Sequence, residues 1–69
     1  MKYLVEIFWS EEDVGYIATV PDLPGCCAFG ATLEEAAREI EDAQQAWLEA
    51  CIKAGDPIPE PTTKARKAA

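Results

Sequence analysis

Gly30-Ala31-Thr32-Leu33-Glu34-Glu35-Ala36 marks the point where the chain stops extending and starts to coil. Thr32 to Glu35 has the S/T-x-x-E form of a capping box. Its Thr32 hydroxyl can accept from the Glu35 amide, and the Glu35 carboxylate can reach back to the Thr32 amide. Glu34 and Glu35 also sit at the positive end of the helix dipole. Beyond them Leu33, Ala36, Ala37, Ile40, Ala43, Trp47, Cys51 and Ala54 recur at three- and four-residue steps and make one apolar stripe. This spacing predicts a helix over about 33–54, roughly 33 Å long at 1.5 Å per residue. Gly55 then suits the left-handed position that ends it. Leu48 and Ile52 widen the stripe near its end. Such a helix outlasts a small sheet, which makes Trp47, Leu48 and Ile52 the expected oligomer interface.

Upstream of the helix the chain reads as strands. Residues 2–9 hold aromatic and β-branched side chains with no Gly or Pro. Alternation places Tyr3, Val5, Ile7 and Trp9 on one face and Leu4, Glu6 and Phe8 on the other. Phe8, on the mixed face, is the better placed of these for an interface. The loop Ser10-Glu11-Glu12-Asp13-Val14-Gly15 is polar and ends in a Gly that can take positive φ. Tyr16 to Val20 is a second strand, antiparallel to the first. Pro21-Asp22-Leu23-Pro24-Gly25 breaks the ladder. Pro24-Gly25 fits the centre of a type II turn, with Asp22 as its cap. Cys26 to Phe29 makes a short third strand whose pairing partner the pattern leaves open. The expected class is α+β: a three-stranded antiparallel sheet with one long amphipathic helix packed on it.

Downstream of Gly55, Asp56-Pro57-Ile58-Pro59-Glu60-Pro61 alternates proline with other residues and must be extended. The domain is expected to span 1–61, and 62–69 to be a flexible basic tail. That tail carries Lys64, Arg66 and Lys67, half of the chain's positive charges.

The 69 residues make one domain, small enough that oligomerisation is a common route to stability. Thirteen acids against six bases give a net charge of −7, and residues 1–61 alone carry −10. Such a body repels phosphate backbones and complements a basic partner. The absence of histidine excludes imidazole triads, His metal sites and His general bases. Three cysteines, two of them adjacent, build no disulfide framework and read as reduced thiols. No apolar run approaches the 18 or so residues of a membrane span, and the amino terminus has no leader pattern. A cytoplasmic protein is expected.

Several groupings of side chains are candidates for chemistry. Cys26 and Cys27 lack an activating base, and neighbours on a strand point to opposite faces, so one of them belongs to the core. With Cys51 they lack the spacing of a zinc site. Glu6, Asp22 and Glu35 or Glu39 could meet around Mg²⁺ as in a nuclease. The capping box already explains Glu35, and a solvated helix face explains Glu39. No catalytic residue, metal ligand or cofactor is therefore assigned, and the chain is expected not to be an enzyme. The solvent-facing acids Glu11, Glu12 and Asp13 of the loop and Glu41 and Glu49 of the helix are the candidate partner-binding residues.

The stretch Gly15-Tyr16-Ile17-Ala18-Thr19-Val20-Pro21-Asp22-Leu23-Pro24-Gly25-Cys26, followed by Gly30-Ala31-Thr32-Leu33-Glu34-Glu35-Ala36, resembles the HicB-type antitoxin domain. The resemblance covers residues 1 to about 61. It implies a partial RNase H-like fold without nuclease activity, with the segment around Ile58 a candidate for a short fourth strand. It also implies a type II toxin–antitoxin role, in which the acidic domain covers a small basic mRNA-cleaving toxin of the HicA kind, and assembly into homo-oligomers. Full-length relatives add a C-terminal DNA-binding module. Only eight residues follow Pro61 here, so direct DNA binding is not expected. The alternatives are a self-associating scaffold or protein-binding module without a toxin and, more remotely, a metal-dependent nuclease.

Overall fold

The computed structural model describes residues 3–62. Strands β1 (Glu6–Ser10), β2 (Gly15–Thr19) and β3 (Cys27–Gly30) precede helix α1 (Leu33–Ala54). The strands form one antiparallel sheet in the order β1-β2-β3. The third strand, whose side the pattern left open, pairs with β2 and completes a meander. Among the described residues no fourth strand forms, and 56–62 is extended without joining a ladder. The rest of the expected tail, residues 63–69, lies outside the described residues.

Both turns follow from their residues, though not both as expected. At Pro24-Gly25 the Cys26 amide donates to the Leu23 carbonyl at 2.9 Å and Gly25 takes φ +81°, the type II geometry. In the β1–β2 loop the left-handed residue is Val14, at φ 50°, rather than Gly15. Gly15 is instead the first residue of β2. A Cβ there would come within 2.4 Å of the Phe29 ring, so the glycine makes room for an aromatic on the neighbouring strand.

Helix α1 has the predicted limits because both caps are local. The Thr32 hydroxyl accepts from the Glu35 amide at 3.1 Å. The return bond from the Thr32 amide to the Glu35 carboxylate is not made, and Glu35 stays exposed. At the other end Gly55 takes φ +77°, its amide donating to Ile52 and that of Asp56 to Cys51, a Schellman motif.

The helix covers one face of the sheet and packs chiefly on β3. Tyr3, Ala18, Val20, Leu23, Cys26, Ala36 and Ile40 form the core, flanked by Val5, Ile7, Tyr16, Ala28, Ala43, Trp47 and Leu48. Leu23 and Ile40 are the largest side chains with no exposure, each contributing about 1.5–3 kcal/mol by burial. The buried stripe differs from the expected one: Leu33 and Ala54 lie exposed at the helix ends, and Gln44 is buried in their place. Gln44 falls on the i, i+4 row of Ala36 and Ile40, so helical geometry carries it inward despite its amide. Its Oε1 has no hydrogen-bond partner there.

The segment after the helix returns to the body. The Cys51 thiol lies within 3.5 Å of the Asp56 and Pro57 carbonyls. The Tyr3 hydroxyl donates to the Pro59 carbonyl. The amide and hydroxyl of Thr62 both donate to the Asp22 carboxylate, at 2.9 and 3.0 Å. Asp22, expected to cap its own turn, therefore anchors a residue forty positions downstream.

Candidate functional site

Two surfaces stand out. The first is acidic. The β1–β2 loop projects Glu11, Glu12 and Asp13 into solvent. Its shape is set by a reciprocal pair: the Ser10 hydroxyl donates to the Asp13 carboxylate at 2.8 Å, and the Asp13 amide donates to Ser10 Oγ at 3.4 Å. The register puts Trp9, Tyr16 and Gly30 side by side, next to this loop. Gly30 lies directly under Glu35 and Ala36 of α1. The first helical turn, with exposed Glu34 and Glu35, therefore shares an end of the molecule with the loop acids.

That grouping differs from the candidate set. Glu41 and Glu49 are exposed on α1, as expected. Glu49, however, lies near the opposite end, past Trp47, whose indole N–H donates to the Pro24 carbonyl at 2.9 Å in the β2–β3 turn. The fold thus brings Glu11, Glu12 and Asp13 toward Glu34 and Glu35 and leaves Glu49 apart. Reading the two glutamates only as helix caps hid this. Their proximity to the loop depends on the strand register, which no local motif encodes.

The second surface is the sheet face that α1 does not cover. Phe8, Ile17 and Phe29 form one cross-strand row on it, and Glu6, Thr19 and Cys27 the next. Phe8 is 51% exposed and Phe29 45%. The expected interface at the helix end looks different in place. Trp47 and Leu48 pack against the protein's own core, and only Ile52, 61% exposed, stands clear of it.

The remaining polar groups do not converge. Among the described residues no three of Cys, Asp and Glu are placed to hold a metal ion, so Glu6, Asp22 and the helix carboxylates are not brought together. Cys26 is buried and Cys27 exposed, the opposite orientation expected of strand neighbours. Burial, and secondarily the charge of Cys27, push the Cys26 thiol above its ordinary value, which makes it a poorer nucleophile. An open cleft of about 300 Å³ between Trp47, Ala50, Cys51, Asp56 and Pro57 carries a single carboxylate. No described helix is long and apolar enough to cross a membrane.

Comparison with known proteins agrees with this geometry. Residues 3–69 match the family described as the HicB_like antitoxin of bacterial toxin-antitoxin systems. A UPF0150 protein of Thermoplasma acidophilum is 42% identical over 59 residues, covering 86% of this chain and 84% of that protein. A UPF0150 protein of Synechocystis sp. is 41% identical over 49 residues, covering 71% of this chain and 66% of its own length. Among solved structures, a chain from a HicA3 and HicB3 toxin-antitoxin complex superimposes with a TM-score of 0.73 at 31% identity, covering 90% of this chain and 70% of that one. With its sheet-and-helix plan and a family match over nearly its whole length, the chain belongs to the HicB-like antitoxin family.

Proposed function

We propose that this protein is an antitoxin that binds and neutralises a small basic, mRNA-cleaving toxin of the HicA kind. The observation that carries the reading is the structural match to a chain from a HicA3 and HicB3 complex. The charge distribution supplies the mechanism. Glu11, Glu12 and Asp13, with Glu34 and Glu35 at the same end, present a negative surface that draws in a basic protein and orients it. Glu41 and Glu49 extend that field along the helix. Neutralisation is occlusion: the toxin's RNA-binding surface is itself cationic, and covering it with carboxylates excludes phosphate.

The protein acts without catalysis, metal or cofactor, in the cytoplasm, and as a homo-oligomer. Ile52 at the helix end is one place where a second copy could pack. Co-expression with a small basic, mRNA-cleaving protein of the HicA kind tests the reading. A stable complex on gel filtration is the expected result. Separate elution of two folded proteins at low salt would refute it.

A further inference from the structure

We propose that the cleft at the carboxyl end of α1 receives the guanidinium of an arginine side chain carried by a basic partner protein. Trp47, Ala50, Cys51, Asp56 and Pro57 line it. The inference deepens the proposed function, since it rests on a basic partner, but its test needs no toxin.

The hydrogen-bonding groups of the lining select the ligand. Every donor there is already spent. The Trp47 indole N–H donates to the Pro24 carbonyl, and the Cys51 thiol to the carbonyls of Asp56 and Pro57. The helical amides are bonded within α1. The Asp56 amide donates to the Cys51 carbonyl in the helix cap, and Pro57 has no N–H. What remains accepts only: the Asp56 carboxylate and the π face of Trp47. That carboxylate makes no hydrogen bond or ion pair among the described residues, and Lys53, the base of the last helical turn, does not pair with it. The helix adds the negative end of its dipole. An anion is repelled here, and a neutral apolar group would strip water from Asp56 without replacing it. A guanidinium meets each condition. It donates without accepting, pairs with a carboxylate through parallel bonds, and stacks flat on an indole. The volume, about 300 Å³, lies at the lower limit for ligand pockets and suits one long side chain. The bond to Pro24 fixes the indole and the cap at Gly55 fixes the Asp56 backbone, so the cleft is formed in advance. It lies at the far end of α1 from Glu34 and Glu35, and a partner that reaches both is held at two points.

The test is an NMR titration of the full chain with N-acetyl-arginine N-methylamide. It is read at the two indole N–H signals, Trp47 at the cleft and Trp9 in β1. A saturable shift of the Trp47 signal in the millimolar range is expected, with the Trp9 signal unmoved. The citrulline analogue, similar in shape but uncharged, should bind at least about tenfold more weakly. D56N should weaken arginine binding about fivefold or more. E49Q removes the same charge from α1 outside the cleft and should leave binding within about twofold. Circular dichroism should show both variants folded, because the Asp56 part of the cap is made by its backbone. Equal shifts of both indoles, or no saturation by about 50 mM, would overturn the proposal. So would citrulline binding as tight as arginine, or equal losses in D56N and E49Q. A toxin complex formed without any arginine binding would refute the cleft and leave the antitoxin reading standing. Arginine binding at Asp56 without a toxin complex would refute only the toxin reading.

Discussion

A Cβ placed on Gly30 would lie 2.2 Å from the backbone nitrogen of Ala36 and 2.6 Å from its Cα. Strand β3 and helix α1 meet there backbone to backbone, and Ala36 has no exposure at all. The contact fixes where the helix starts on the sheet, and so places Glu34 and Glu35 at the same end of the molecule as the loop acids. Because the obstacle is main chain, no rotamer change can relieve it. G30A should therefore destabilise the protein by at least about 2–3 kcal/mol, the overpacking range. Urea denaturation measures this, and an unchanged midpoint would mean that the helix can lift without penalty.

Val14 holds φ 50° while 72% exposed. A β-branched residue is strained in that region, and its side chain is too exposed to offset the cost by packing. V14N, which tolerates the left-handed region, should stabilise the fold by about 0.5–1 kcal/mol, read as a rise in melting temperature.

The limits of α1 were legible in the sequence because each end carries its own chemistry, Thr32 at one and Gly55 at the other. The type II turn at Pro24-Gly25 was legible for the same reason. Features that depend on partners distant in sequence were not. Gln44 is buried because of where the helix lands, not because of its own polarity. Asp22 looks like a turn residue until Thr62 arrives from forty positions away. Val14 rather than Gly15 bends the hairpin because Gly15 is needed under the Phe29 ring, which only the β2–β3 register reveals. The acidic site was half visible. The loop acids and helix acids could be named as exposed, but which of them share an end follows from strand order.

The returning segment should contribute measurable stability. T62V removes the hydroxyl that donates to Asp22 and keeps the amide, and Y3F removes the donor to Pro59. Each should cost about 0.5–1.5 kcal/mol, more for the bond to the carboxylate. If the segment is a unit, hydrogen exchange around the Cys51–Pro57 junction should quicken in both variants. Unaltered exchange would show that the anchors act independently.

Burial holds the Cys26 thiol above its ordinary value of 9.0, with Cys27 adding to the shift. The unfolded chain then ionises first as pH rises, and the folded state binds more protons. The stability from this site is fully present below pH 9.0 and is lost as pH climbs from there through the raised folded value. C26A removes that dependence. Its stability should fall less steeply than the wild type's across the alkaline range, and parallel curves would contradict the assignment.

The most direct test of the antitoxin reading is inhibition of the mRNA cleavage carried out by a small basic toxin of the HicA kind. The purified protein is titrated in at several salt concentrations, with the variant E11K/E12K/D13K alongside. The account predicts stoichiometric inhibition by wild type that weakens as salt rises, and inhibition weakened at least tenfold in a variant that remains folded. Cleavage that continues unchanged under excess wild-type protein at low salt would contradict it, as would full inhibition by the charge-reversed variant.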